Sequence, residues 1–234
     1  MTPSSRRHRS PQRYVVWGAL LACAMTSLPA CAEGAFAQLY AARPPAGSSF
    51  VRVLNPDTKP LRVKIGNGPE QTLSGDIVAS AYAIVKGNSD FTITLNGKTT
   101  QAIKVPPDRF TSYWPISATN PTDLRASDDS AGAAQDALKA ELRLYNLTRD
   151  CNEAKMGIAP SGTPLFAPIA SGTSIARAIN PVKANLVGSC GTTSTTPLEL
   201  PALQPGDHFS LFMRGTAAAP ALSGQRSATE TYKP

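Results

Sequence analysis

Wherever this chain shows a pattern, the pattern is alternation. Leu61-Arg62-Val63-Lys64-Ile65 switches strictly between apolar and charged residues, the period-two signature of a strand with one buried face. Phe91, Ile93 and Leu95 alternate with Thr92 and Thr94, and Asn96-Gly97 then supplies a hairpin turn before residues 99–105. Apolar runs are short and bounded by Gly, Pro, Asn and Asp, and helical periodicity is almost absent. The pattern predicts an all-β chain.

The strand pattern also repeats. Phe50-Val51-Arg52-Val53-Leu54-Asn55 returns as Glu141-Leu142-Arg143-Leu144-Tyr145-Asn146, and residues 108–114 (DRFTSYW) return as 207–213 (DHFSLFM). Between these blocks, residues 91–97 fall opposite 182–188 in the same order. Three blocks in one order at a nearly constant offset indicate a tandem duplication of one small domain. The expected architecture is two tandem antiparallel β-sandwich domains, residues 33–117 and 138–216, joined by a linker over 118–137 and followed by a loose tail over 217–234 with at most an edge strand. A short helix over 131–140 would be compatible with the linker. Val51, Val53, Leu142 and Leu144 are expected to face the cores and Arg52 and Arg143 to face solvent. In the last strand of each unit the inward set is Phe110 and Trp114, or Phe209, Leu211 and Met213.

The ends change how charge is read. Arg6, Arg7, Arg9 and Arg13 precede an uncharged apolar stretch from Tyr14 to Leu28, and Ala30-Cys31-Ala32 offers small residues for cleavage. Residues 1–32 therefore read as a cleaved export signal, since the apolar run is short of the roughly twenty residues that span a bilayer. A lipid anchor at Cys23 or Cys31 is the variant reading. The net charge is +7, of which the four arginines of the signal, with no acid among them, supply four, leaving +3 for the remainder. That balance, without a basic block interleaved with aromatics, argues against nucleic acid as a partner and is compatible with an anionic polymer.

Removal of the signal leaves Cys151 and Cys190, which in an oxidising compartment read as one disulfide. A metal pair or a reactive thiol is the competing reading and would need His and Cys neighbours that the sequence does not offer. Chemistry is otherwise scarce. His208 is the single histidine beyond the signal, so a Ser-His-Asp triad must be built around it, and no Gly-x-Ser-x-Gly elbow is present. Asp128 and Asp129 read as solvated charges of the linker, without the spaced oxygen ligands of a calcium loop. Gly66-Asn67-Gly68 reads as a turn between strands rather than a phosphate cradle. No catalytic residue, metal or cofactor is expected, and binding rather than turnover is the default.

Several of these residues carry a likeness. Leu39-Tyr40, then residues 45–55 (PAGSSFVRVLN), directly after an export signal, resemble the mature start of the alginate O-acetylation protein family AlgF, and Ile179-Asn180-Pro181-Val182-Lys183 is similar to that family's block of the same type. The chain departs from the family pattern at Cys151 and Cys190, in its longer linker and in its Ala/Ser-rich tail. The resemblance implies a periplasmic accessory protein of exopolysaccharide O-acetylation, on alginate or acetylated cellulose, that lacks an acetyltransferase site and works with periplasmic and membrane-bound O-acetyltransferase partners. It directs attention to Tyr40, Ser48, Phe50, Arg52 and Asn55 in the first block and to Asn180, Pro181 and Lys183 in the second as partner- or polymer-binding residues. Packing is the competing role for Phe50, and turn formation for Asn55 and Asn180. Two other classes are kept in view: a carbohydrate-binding module for an anionic polysaccharide, which would need exposed planar aromatics, and a hydrolase or transferase using His208.

Overall fold

A computed structural model describes residues 43–117, 119–131 and 138–233. The expectations for residues 1–32, for Cys23 and Cys31 and for Tyr40 lie outside the described residues. Among the described residues every regular element is a strand and no helix is long and apolar enough to cross a membrane, and the helix considered over 131–140 falls largely on residues 132–137, outside them. Residues 41–234 cluster as one unit.

The first repeat comprises β1 (Ser48–Val53), β2 (Leu61–Ile65), β3 (Gln71–Leu73), β4 (Ala83–Lys86), β5 (Ile93–Leu95), β6 (Lys98–Thr99), β7 (Phe110–Pro115) and β8 (Leu124–Asp128). The second comprises β9 (Ala140–Asn146), β10 (Ala154–Ala159), β11 (Thr163–Pro164), β12 (Ser174–Ile179), β13 (Asn185–Cys190), β14 (Thr193–Ser194), β15 (Leu198–Glu199), β16 (His208–Thr216) and β17 (Ala219–Arg226). One sheet of the first repeat runs β4-β1-β7-β8 and the other β3-β2-β5-β6. The second repeat repeats both orders, as β12-β9-β16-β17 and β11-β10-β13-β14, with β15 added beside β13. The fold is all-β, and its duplication is written in the strand order. Between the named strands pairing is antiparallel except once per repeat, where the first strand lies parallel to the penultimate one: β1 beside β7 and β9 beside β16.

Register refines the equivalence between repeats. Val51 pairs with Thr111 and Leu142 with Phe209, so Thr111, not Phe110, is the counterpart of Phe209. A one-residue slip moves a side chain to the other face of its sheet. Accordingly Phe209, Leu211 and Met213 lie in the second core, whereas in β7 it is Tyr113 that joins the first core. Phe110 stacks on Phe50 with ring centroids 4.4 Å apart, and Trp114 packs with Tyr145 and Phe212 outside both cores. The β5–β6 hairpin turns at Asn96-Gly97, both with positive φ (48° and 84°), as a two-residue primed turn requires. Its counterpart is the β13–β14 turn. Ile93 N–H donates to the Thr100 hydroxyl as Gly188 N–H does to Thr195, each at 3.0 Å, which shifts the middle block from the alignment read off the sequence.

Two stretches are more ordered than the sequence pattern implied. The expected linker contains β8, which pairs along β7 from Thr111 to Pro115 and is the edge strand of the first repeat. The expected tail contains β17, eight residues paired along β16 from Phe209 to Thr216. Neither strand shows clean alternation, because each lies at the edge of its sheet with polar residues on both faces. Val51, Val53, Leu142 and Leu144 are fully buried in the two cores, as the alternation predicted. Cys151 and Cys190 form a disulfide inside the second core, with Cα atoms 5.8 Å apart.

Candidate functional site at the junction of the repeats

The β4-β1-β7-β8 and β12-β9-β16-β17 sheets turn their outer faces toward each other. Leu54, Val78, Ala79 and Trp114 of the first repeat meet Tyr145, Leu147 and Phe212 of the second in one apolar cluster. The Gln225 side chain of β17 bonds the backbone of Val78 and Ala79 at 2.9–3.1 Å. Side chains that alternation assigned to solvent are thereby enclosed. Arg52 is 1% exposed and Arg143 5%, which corrects the expectation that both point outward.

Arg52 is the centre of this face. Its Nε donates to Ser112 Oγ at 2.7 Å and its Nη1 to Ser227 Oγ at 3.1 Å, while Nη2 donates to Tyr145 Oη at 2.7 Å and to Ser210 Oγ at 3.0 Å. Its counter-charge is Asp129, 3.9 Å away. The hydroxyls that accept from Arg52 pass the interaction on. Ser112 Oγ donates to Asp129 Oδ2 at 2.5 Å and Tyr145 Oη to Asp129 Oδ1 at 2.6 Å, and Tyr82 Oη adds a third donor to Oδ2 at 2.7 Å. The ion pair is thus solvated by protein hydroxyls, which offsets the cost of removing both charges from water.

Arg143, the counterpart of Arg52, donates to Glu141 at 3.2 Å through Nε and to the Asp129 and Ala131 carbonyls at 2.5 and 2.9 Å through Nη2. Ser112 and Ser210 are likewise equivalent by register, as are Asp129 and Ser227. The acid exists in one copy only. Asp129 is 6% exposed, which corrects the expectation of a solvated linker charge, whereas Asp128 beside it is exposed.

Burial pushes the phenols of Tyr82 and Tyr145 well above their ordinary value, with Arg52 pulling the other way and Asp129 adding to the rise. Burial alone would lower the Arg52 guanidinium, but Tyr145, Tyr82 and Asp129 together raise it, so it stays charged. A folded-state pKa raised above the unfolded value stabilises fully below the unfolded value, about 10 for tyrosine, and the contribution is lost as pH climbs beyond it. Stability measured by urea unfolding is therefore expected to fall above pH ~10. In the Tyr82→Phe/Tyr145→Phe double variant the baseline should be lower and the alkaline slope flatter. An unchanged slope would show that these phenols do not titrate with unfolding.

A cavity of about 420 Å³ lies beside this network, lined also by Phe110, Asp108, Thr229 and the half-exposed His208. His208 Nδ1 stands 3.7 Å from Glu141 Oε1. The serines lining the cavity bond elsewhere: Ser130 accepts from Phe110 N–H, and Ser210 bonds Arg52 and Ser227. Among the described residues no group of three or more His, Cys, Asp or Glu could hold a metal ion.

The residues singled out from the sequence separate into two groups. Ser48, Arg52 and Asn55 are buried and Phe50 is half-buried against Phe110, whereas Asn180, Pro181 and Lys183 are exposed where the chain leaves β12. Asn55 and its counterpart Asn146 make the same loop clamp. Asn55 Nδ2 donates to the Lys59 and Leu73 carbonyls at 2.8 and 3.2 Å, and Asn146 Nδ2 to those of Cys151 and Ile169 at 2.7 and 3.1 Å. Tyr82, Ser112, Asp129, Glu141, Tyr145, Ser210 and Ser227 were not anticipated. The available signal was apolar character on both parities, in Leu142-Arg143-Leu144-Tyr145 and Leu211-Phe212-Met213, which marks strands covered on two faces.

Fold and junction together define a duplicated β-sandwich protein whose buried polar groups are bonded to one another across the repeat boundary. The family model described as "Alginate O-acetyl transferase AlgF" matches residues 21–210. A relative described as alginate biosynthesis protein AlgF, from Pseudomonas putida (strain KT2440), is 27% identical over 186 residues, covering 80% of this chain and 82% of the relative. The chain belongs to the AlgF family, which takes part in alginate O-acetylation. Among solved structures, the C-terminal domain of AlgF from P. aeruginosa is 25% identical and covers 38% of this chain and 98% of its own, with a TM-score of 0.34. A family 26 carbohydrate-binding module from Eubacterium rectale Amy13K, solved with maltoheptaose, is 10% identical and covers 80% of this chain and 100% of its own, with a TM-score of 0.29.

Proposed function

We propose that this protein is a non-catalytic adaptor of exopolysaccharide O-acetylation, exported to the periplasm, where it holds periplasmic and membrane-bound O-acetyltransferase proteins together. The observation that carries this reading is the closure of the junction network. Acyl transfer needs a nucleophile in hydrogen-bond reach of a base, and here the buried serines are bonded to Arg52 and Asp129 while His208 faces Glu141. Membership of the family supplies the pathway, and the exposed Asn180-Pro181-Val182-Lys183 stretch supplies surface for a partner.

An affinity-tagged full-length chain, expressed in its native envelope and captured under conditions that preserve complexes, is expected to recover at least one O-acetyltransferase. Recovery of none counts against the adaptor. The purified chain should hydrolyse or transfer from an acetyl ester no faster in its native form than as His208→Ala; activity that disappears in that variant would make it an enzyme. Titration calorimetry with alginate oligomers completes the set, because micromolar binding without partners would favour a carbohydrate-binding module.

A further inference from the structure

The two repeats differ at one edge, and the difference leaves a groove. In the second repeat Leu165 N–H donates to the Met156 carbonyl at 2.8 Å; in the first, Gly68 N–H donates to the Ile65 carbonyl at 2.9 Å. Ile65 pairs with Ile93 and Met156 with Gly188, and Ile93 and Gly188 make equivalent bonds to Thr100 and Thr195, so these are matching positions. A glycine therefore stands where the second repeat has a leucine. Leu165 and the following Phe166 are buried in the second core, and Arg177 of the edge strand β12 ties the Leu165 carbonyl at 2.6 Å. In the first repeat the corresponding space is a groove of about 480 Å³ between β4 and the Gly66–Gly68 turn. Val85 and Phe91, half-buried and packed on the first core, form its floor.

The outer edge of β4 faces this groove with main-chain groups. Phe50 N–H donates to the Arg109 carbonyl and the Ser48 carbonyl accepts from Asp108 N–H, so both groups point toward β7. Phe50 opposes Ile84 and Ser48 opposes Lys86, making these non-hydrogen-bonded pairs that direct the Ile84 N–H and C=O and the Lys86 N–H away from β1, while the Lys86 carbonyl accepts from Ser89 N–H at 3.4 Å. The same edge already receives a strand one residue pair earlier. The C-terminal segment runs parallel to it, with Tyr82 N–H bonded to the Ala228 carbonyl at 2.7 Å and Glu230 N–H to the Tyr82 carbonyl at 2.9 Å, and the bridge ends there.

We infer that the β4 groove binds an extended peptide segment of a partner protein, added to the sheet as a further strand with an apolar side chain laid over Val85 and Phe91. Two segments of this same chain define that occupant. The C-terminal segment shows that the edge accepts a strand, and Leu165-Phe166 shows what chemistry fills the matching space in the other copy. Strand addition draws affinity from main-chain bonds and selectivity from alternate side chains. The inference rests on the adaptor reading only for the identity of the protein that supplies the strand.

The test uses the isotope-labelled full chain titrated with the synthetic peptide acetyl-Thr-Val-Thr-Val-Thr-Val-amide. Saturable shifts and slowed hydrogen exchange are expected at the Ile84 and Lys86 amides. Ile84→Pro removes one outward N–H at an edge position where proline is tolerated, and should weaken binding up to about tenfold, the effect of losing a well-made hydrogen bond. Gly68→Leu, which restores the leucine of the second repeat, should weaken it as well and guards against a misfolded proline variant. Shifts confined to another edge, or equal binding by both variants, overturn the inference. So does protection of the Ile84 and Lys86 amides before peptide is added, which would mean that the chain's own end or a second copy fills the groove. In envelope capture, loss of the acetyltransferases by Ile84→Pro alone supports the groove. If the variant retains them, the groove is wrong and the adaptor stands; if the native chain captures none while the peptide binds, the adaptor is wrong and the groove stands.

Discussion

Arg52→Ala is expected to destabilise the protein by about 3–5 kcal/mol, the range for removing one partner of a buried ion pair. The substitution leaves Asp129 charged, 6% exposed and without its cation, although three hydroxyls still donate to it. It also strips Ser227, Tyr145 and Ser210 of the second repeat of their bonds to Arg52. Urea unfolding followed by far-ultraviolet dichroism measures the loss. Arg52→Lys should recover little of it, because a single ammonium does not reproduce three donor nitrogens held in one plane. An Arg52→Met/Asp129→Asn pair, which removes both charges together, should lie closer to the native protein than Arg52→Ala does. A loss below about 1 kcal/mol for Arg52→Ala, the range of a surface ion pair, would mean that the junction is hydrated in solution.

The second large effect is expected in the core of the second repeat. The Cys151–Cys190 bond closes a separation of 39 residues, and on the chain-entropy account its removal costs about 4 kcal/mol. Cys151→Ala/Cys190→Ala is the suitable variant, since alanine introduces no buried hydroxyl where Cys151 is fully enclosed. Denaturant midpoints of the native and double-alanine proteins give the value directly. A reductant should lower the native protein to the level of the variant and leave the variant unmoved. Equal midpoints before reduction would show that the closed loop contributes nothing in solution.

What the sequence revealed follows from which forces are local. Alternation in 61–65 and the Asn96-Gly97 turn are short-range features, and both lie where they were expected. The repeat was also legible, because equivalent positions keep their apolar parity in Val51/Leu142 and Val53/Leu144. Arg52 was misplaced because alternation identifies two faces without saying what covers the outer one. Here another copy of the same unit covers it, and pairing between copies leaves no period in the chain. Phe110 was matched to Phe209 by identity of type, and only the parallel register, set by the backbone of β1 and β9, separates their faces. Asp129 was lost for a related reason: its stretch is polar because it meets a polar junction, and a polar edge strand reads as a linker.

The return of the chain's end to Tyr82 sets an order of events during biosynthesis. Ala228 and Glu230 are made long after the Tyr82 they bond, and at ordinary elongation rates the interval is roughly seven to thirty seconds. Through that interval Tyr82 lacks its parallel neighbour and Arg52 lacks Ser210 and Ser227. The N-terminal half is thus a client of residues not yet made, and nascent chains arrested before Ser210 should be far more sensitive to protease than the finished protein.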